Sequence, residues 1–433
     1  MSSTSKAFIN IHQLGFVFFF NFFSFFTLSS LTQTLVEELS KSQNISKHAG
    51  YFCGFLIYLI FSLGHIVATP IVDYITPKWS IVSGIFGYAL YELSFLIINE
   101  PFMYFTAAMA GFSGSLLWTG QFDYLAQNCQ PNTLDKNSST LWGLTQISLI
   151  FGGIYLLIIY RFAPGDSYDM SLIRFILLSF LACTIISFII AVFLEKPAYK
   201  AEKYNVPYFQ HLTEIGKVSL HRNLLLLLFT FLYTGFELSF FSVVYPTMIS
   251  FTTALGNNRD LNAISVVCVG IGSITGCALL SIMGERVRAF GRKNMVLLGF
   301  IVHISSFILI FFSFPDDSPL SVTNEIGYIS PQPVVVILIG ILLGIGDTIF
   351  NMQCYTIISD IYEHVNRIEA FAVYRFYQSI ASCIAMFYSS YFSLKYHMVI
   401  LAFFSIASVV TFFQIRVPNS IQKTQSSQLE IVS

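Results

Sequence analysis

Charged side chains are what this 433-residue chain has least of: only 10% of its residues are Asp, Glu, Lys or Arg, against roughly a quarter in a soluble domain. With 55% of residues apolar, there is too little polar surface to hold the chain in water, and a soluble globular protein is excluded. The 22 basic and 23 acidic side chains leave a net charge of −1, which argues against a nucleic-acid partner. Cysteine is sparse too, with seven residues. Cys53, Cys183, Cys268, Cys277, Cys354 and Cys383 show no paired spacing and no nearby histidine cluster. They read as small hydrophobes rather than disulfides or metal ligands. Missing as well are a Gly-Lys-Thr phosphate loop, a nucleophile elbow, metal-ligand spacing and any soluble stretch large enough to house an active site. No enzyme is expected, and neither cofactor nor metal.

What is present is length without charge. Twelve apolar segments occupy 11–36, 50–72, 79–98, 102–126, 138–162, 171–194, 223–248, 261–283, 294–314, 333–358, 369–393 and 396–416, each near the ~20 residues that cross a bilayer as a helix. Lipid offers the backbone no hydrogen-bond partner, and segments this long without period-2 alternation satisfy it as helices rather than barrel strands. The expectation is an all-α integral membrane protein whose first partner is the lipid bilayer. The stretch from Phe8 to Leu31 is interrupted by Asn10, His12, Gln13 and Asn21 and has no small-residue cleavage site after it, so it reads as a retained first helix rather than a cleaved signal.

Orientation follows from basic residues in short loops. With the N-terminus inside, the inner loops and tails hold Lys6, Lys78, Lys136, Lys196, Lys200, Lys203, Lys217, Arg222, Arg286, Arg288, Arg292, Lys293, Arg367, Arg416 and Lys423. The other side keeps Lys41, Lys47, Arg161, Arg259 and Lys395, and its ninth loop is acidic through Asp316, Asp317 and Glu325. Both termini are therefore expected in the cytoplasm. Asn44-Ile45-Ser46 is a glycosylation sequon in the first outward loop, whereas Asn137-Ser138-Ser139 falls inside and reads as chance.

The longest inner loop, 195–222, is polar and carries Pro197 and Pro207, which discourage one continuous helix. It separates a six-helix half at 1–194 from another at 223–416, with a tail at 417–433. Weak echoes link the halves. In span four, Gly114-Ser115-Leu116-Leu117-Trp118-Thr119-Gly120-Gln121 reads against Gly340-Ile341-Leu342-Leu343-Gly344-Ile345-Gly346-Asp347 in span ten. Trp142 and Gln146 in span five match Tyr374 and Gln378 in span eleven, each pair four apart and so on one helix face. Two echoes in corresponding helices favour duplication of a six-helix unit.

Between spans eight and nine, Gly284-Glu285-Arg286-Val287-Arg288-Ala289-Phe290-Gly291-Arg292-Lys293 forms a basic turn, which resembles the signature loop of the major facilitator superfamily. Its counterpart, Asp73 to Lys78, keeps only an acid and a base. The turn reads in two ways: as a latch whose basic side chains reach helix C-terminal ends and neighbouring acids, or as plain inside-positive topology. Further phrases are Leu117-Trp118-Thr119-Gly120-Gln121-Phe122-Asp123-Tyr124-Leu125, Gly235-Phe236-Glu237-Leu238-Ser239-Phe240, Gly344-Ile345-Gly346-Asp347-Thr348-Ile349-Phe350-Asn351-Met352-Gln353 and Ala370-Phe371-Ala372-Val373-Tyr374-Arg375-Phe376-Tyr377-Gln378-Ser379. Together they resemble the Unc-ninety-three-like branch of that superfamily, and within it the subgroup called major-facilitator domain-containing protein eleven. The resemblance covers nearly the whole chain. It implies twelve transmembrane helices in two pseudo-symmetric six-helix bundles, and, through the founding member of the branch, regulation of a potassium channel.

In the fold so implied, spans one, four, seven and ten line a central cavity. Here they carry Asn21; Trp118, Gln121 and Asp123; Tyr233 and Glu237; and Asp347 and Asn351. An ionisable group in hydrocarbon is costly unless it faces a cavity or a partner, so Glu237 and Asp347 are the leading candidates to bind a proton or cation. Arg375 is the expected partner of Asp347 in a charge pair or gate, and Arg174 of Glu92. His65 and His303 read as packing residues. Trp118 and Trp142 are open to two readings, substrate stacking or core packing. Two functions remain: a secondary transporter of a small solute, proton-coupled through Glu237 or Asp347, or a non-transporting subunit that biases the gating of a channel.

Overall fold

A backbone amide in lipid must bond within its own helix, and each apolar run folds accordingly. The computed structural model describes residues 3–41, 43–129, 134–162, 169–199, 208–362 and 367–415. In order the helices are α1 Ser3–Ser40, α2 Ala49–Ile75, α3 Pro77–Ile97, α4 Glu100–Ala126, α5 Leu134–Phe162, α6 Met170–Val192, α7 Tyr208–Ser219, α8 Arg222–Ser239, α9 Tyr245–Phe251, α10 Asn258–Phe290, α11 Arg292–Ser313, α12 Pro333–Ile361, α13 Arg367–Ser389 and α14 Leu394–Phe412. A π-helical turn, Phe240–Val244, joins α8 to α9, so those pieces form one span, the seventh. Asn99 and Asp169 start α4 and α6 by accepting the Phe102 and Leu172 amides at 3.0 Å, the usual satisfaction of a free helix N-terminus.

Among the described residues, ten helices are long and apolar enough to cross a membrane. α4 and α13 complete the twelve spans. They are richer in polar and small residues because both are packed against other helices of the bundle: α4 against α2 and α3, α13 against α2 and α8. The inner loop does hold a helix, α7, which starts one residue past Pro207 and packs against α13 and α8. A proline ahead of a helix start costs nothing there, because the first turn's amides have no intrahelical acceptor.

The duplication is visible in the pairings. In the first half α1 packs on α5 and α6, α3 on α6, and α4 on α2 and α3. In the second, α8 packs on α13 and α14, α11 on α14, and α12 on α10 and α11, which is the same set displaced by six spans. The halves meet through α5 with α10 and α2 with α13, two contacts that such symmetry exchanges. This is an all-α membrane fold of two pseudo-symmetric six-helix bundles. Outward-facing Phe86, Phe105, Phe175, Val399 and Phe403 are exposed, an apolar girdle that suits lipid.

An even number of spans returns the chain to the side on which it began, here called the terminal face. On the opposite face the halves are tied together: the Tyr51 hydroxyl donates to the Pro319 carbonyl at 2.9 Å, and Arg259 lies 4.6 Å over the Tyr160 ring. α1 also packs against the π turn and α9. Within the bundle, Ser62 Oγ donates to Ser379 Oγ across the interface at 2.7 Å. On the terminal face Lys6 pairs with Glu195 at 3.8 Å and Arg292 with Asp360 at 2.6 Å, each beside its own half.

Candidate functional site

Between the halves lies a partly open cavity lined by residues of α1, α5, the α8–α9 span, α10, α12 and α13. Its wall is mostly apolar, through Phe26, Leu149, Leu238, Phe241, Val266 and Val269. Polar groups gather at Trp142, Gln146, Asp347, Asn351, Arg375 and Gln378. The π turn belongs to this wall: Phe241 and Ser242 lie in it and Pro246 follows it. A proline has no amide to donate to the preceding turn, and one inserted residue relieves that conflict locally while turning the helix relative to its own earlier register.

The sequence expectation put spans one, four, seven and ten around the cavity. In the structure span four contributes none of the lining residues, and spans five, eight and eleven do. The cause is packing: the small residues of α4 seat it between α2 and α3, although its Trp118 ring still lies beneath Arg375 of the second half. Trp118 instead packs edge-on against Phe18 and tilted against Phe22, with centroids 5.4 and 5.2 Å away, and stands 6.3 Å from Trp142. Gln121 is buried and Asp123 half-buried, both further along α4. Asn21 is buried on α1, and neither amide atom has a hydrogen-bond partner among the described residues.

The other expected residues are brought together in the second half. Asn351 Nδ2 donates to Asp347 Oδ1 at 2.7 Å. Asn351 Oδ1 accepts from the Tyr374 hydroxyl at 2.6 Å and from Gln378 Nε2 at 3.2 Å. Gln378 Oε1 accepts from Arg375 at 2.7 Å, and the guanidinium also donates to the Tyr355 hydroxyl. Arg375 and Asp347 are thus joined through two amides rather than in the direct charge pair expected from sequence. Arg375 sits one helical turn from Gln378 on α13, and its guanidinium is held over the rings of Trp118, Tyr355 and Tyr374 at 5.6, 5.4 and 5.4 Å.

Glu237 also departs from expectation. It is absent from the cavity lining and fully buried inside the second half. Its Oε1 lies 3.4 Å from His303 Nε2, and Asp347 is close enough for the two carboxyls to interact directly. His303, read from sequence as a packing residue, links three groups: its Nδ1 meets the Tyr233 hydroxyl at 2.5 Å, its Nε2 lies 3.2 Å from the Leu343 carbonyl, and its ring stacks on Phe350 at 5.6 Å. Asp347 therefore stands between the cavity and the buried Glu237. The signal for His303 was its place in an apolar span, which packing explains equally well. Gln146 and Gln378 were visible only as an echo between halves.

Glu92 meets Thr184, whose hydroxyl donates to Oε1 at 2.9 Å; Arg174 is exposed, so that suggested pair does not form. In the basic turn, Arg292 reaches Asp360 and Lys293 donates to the Phe413 carbonyl at the end of α14 at 2.8 Å. An acid and a helix C-terminus are the partners a latch would use, and both belong to the second half. The side chains of Arg286 and Arg288 lie outside the described residues. Asn44 is exposed on the opposite face, shortly before α2.

Comparison with known proteins agrees with this architecture. The chain is 13% identical in sequence to one structure of the nucleoside transporter NupG, with a TM-score of 0.67 over 94% of this chain and 99% of that one. The peptide transporter POT in complex with sulfate gives a TM-score of 0.67 at 10% identity, over 93% of each chain. Among relatives by sequence, the UNC93-like protein MFSD11 of Xenopus laevis is 29% identical, covering 95% of this chain and 97% of its own. Protein unc-93 homolog A of Mus musculus is 26% identical over 72% of this chain and 74% of its own. The model of the family described as ion channel regulatory protein UNC-93 matches residues 41–413, nearly the entire membrane bundle, and the chain belongs to that family.

Proposed function

We propose that this protein is a secondary transporter of a small solute that moves through the central cavity, coupled to protons at the Glu237–Asp347 pair. The observation that carries the reading is the placement of Asp347, which lines the cavity and interacts with a fully buried Glu237 behind it. Two carboxylates facing each other in hydrocarbon repel, and neither brings a hydrogen-bond donor; a proton held between them removes both penalties. The ties between halves at the opposite face, with a cavity beneath them, suit a carrier that alternates by rocking one half against the other. Both termini are taken to be cytoplasmic on the loop charges, which puts the tied face outside and Asn44 where a glycan can be added.

A second reading, a regulatory subunit packed against a channel, draws on the family's description and on the reduced first-half loop, where Asp73 is exposed and Lys78 lies 5.4 Å over the neighbouring Trp79 ring. Glu237→Gln separates the two. In reconstituted vesicles, transport predicts loss of pH-dependent solute uptake. Unchanged flux together with altered current from a co-expressed potassium channel supports regulation instead, and no response in either assay removes Glu237 from the mechanism.

A further inference from the structure

The cavity holds a cation without a counter-ion. A guanidinium carries five N–H groups, and in Arg375 the contacts among described residues use two of them, toward Gln378 and Tyr355. No described carboxylate comes within ion-pair distance of it. Its surroundings are instead three aromatic faces, which offset part of the cost of taking a charge out of water but supply no opposite charge. Asp347, the acid of the same cavity, has Oδ1 taken by Asn351 and Glu237 as a neighbour.

The hydrogen bonds between them have one direction. Arg375 donates to Gln378, Gln378 to Asn351, and Asn351 to Asp347. A chain of this polarity passes part of the cation's field to the acid without consuming the guanidinium's remaining donors. Beyond these groups the wall turns apolar, through Phe26, Leu149, Phe241, Val266 and Val269.

We propose that Arg375 is the anion-binding residue of this cavity, and that the solute is an amphipathic organic monoanion with a carboxylate head on Arg375 and an apolar body against Phe26, Leu149 and Phe241. A planar guanidinium pairs with a carboxylate in two parallel hydrogen bonds, and the unused donors permit this. The flanking rings orient the fork and the apolar wall selects the body. This inference deepens the transport reading and depends on the cavity being the solute path.

The test uses the purified full chain in nanodiscs with Trp79→Phe, so that Trp118 and Trp142, beside Arg375 and in the cavity wall, are the fluorophores. The probes are 4-phenylbutyrate, its neutral amide, the corresponding amine, and the α-amino acid with the same side chain. The expected result is saturable quenching by the acid with the amide and amine much weaker. Arg375→Gln should lower the acid's affinity roughly 10- to 100-fold, leave the amide unchanged, and Arg375→Lys should fall between. If Arg375→Gln does not fold, the wild-type preference for acid over amide decides alone. The proposal is overturned if amide or amine binds as tightly as the acid, if the amino acid binds more tightly, if Arg375→Gln weakens acid and amide equally, or if the acid does not bind. Uptake of labelled 4-phenylbutyrate under a pH gradient separates this from the transport reading. Arg375-dependent binding without uptake keeps the anion site and removes transport, while Glu237-dependent uptake of another solute class does the reverse.

Discussion

In the first half, buried polar side chains bond in small separate sets: Asn10 donates to Asn128 at 2.8 Å and Thr184 to Glu92 at 2.9 Å, while both amide atoms of Asn21, Nε2 of His65 and the other oxygen of Glu92 have no hydrogen-bond partner among the described residues. In the second half, Tyr233, His303, Asp347, Asn351, Tyr374, Gln378 and Arg375 are bonded to one another in two connected groups, and Glu237 lies 3.4 Å from His303 with neither oxygen in a hydrogen bond among the described residues. The helix pairings of the halves are the same. Duplicated architecture therefore does not require duplicated chemistry. Packing is satisfied by small and aromatic residues in either bundle, whereas bonded polar side chains reinforce one another only where they connect, and the larger connected set lies in the second half.

The largest expected contrast is functional. Asp347→Asn should cut pH-dependent uptake in proteoliposomes roughly tenfold or more, while Glu92→Gln, which keeps an acceptor for Thr184, leaves uptake at the wild-type level. Equal losses would mean that both halves carry the coupling.

Next comes helix packing. A Cβ at Gly235 would run into the Gln378 carbonyl, whereas one at Gly152 would run into the Thr27 hydroxyl. A side chain can rotate and a carbonyl cannot, so Gly235→Ala should cost about 1–3 kcal/mol of stability and Gly152→Ala less. Thermal unfolding in detergent measures both, and the opposite order would show that the second half is the more yielding one.

Smaller still is the tie between the halves: Ser379→Ala removes the bond from Ser62 and should cost about 0.6 kcal/mol, read as the non-additive part of a double-mutant cycle with Ser62→Ala. An additive result would make the interface purely a matter of shape.

The smallest effect belongs to the loop between α11 and α12. Partial burial alone would raise the pKa of Asp316, but the Lys395 amide and ammonium, 2.9 and 3.0 Å away, outweigh it and hold the carboxyl below its ordinary range. A depressed folded value means that the stabilisation is present above the unfolded pKa of about 4 and is lost as pH falls through the folded one. Asp316→Asn should therefore lower stability slightly at neutral pH, where the charge is present, and flatten the profile below about pH 4; an unaltered acid limb would remove that role.

The spans were legible, most of them to within a few residues, because apolar length is a local property that lipid converts directly into helix; α1 and α10 run on past the apolar stretch at their terminal-face ends. The two-half organisation followed from the polar loop and the echoes. The site was legible as a set of residues and not as an arrangement. Asp347 and Asn351 lie at the cavity, while Glu237 turns inward to His303 and Arg375 bonds Tyr355 and Gln378 instead of Asp347. Helical spacing says which residues share a face. It does not say which neighbour that face meets, and the π turn at Phe240–Val244 breaks the register that such spacing assumes.

By itself the sequence determined that this is a twelve-span membrane protein built from a repeated unit, since composition and segment length act through the solvent around each helix separately. Only the tertiary structure decided that the cavity is walled by α5, α10 and α13 in place of α4, and that a buried carboxyl pair and an unpaired arginine stand along one chain of amides. Those outcomes depend on how each helix is rotated against its neighbours, and that rotation is set by the summed packing of the whole bundle.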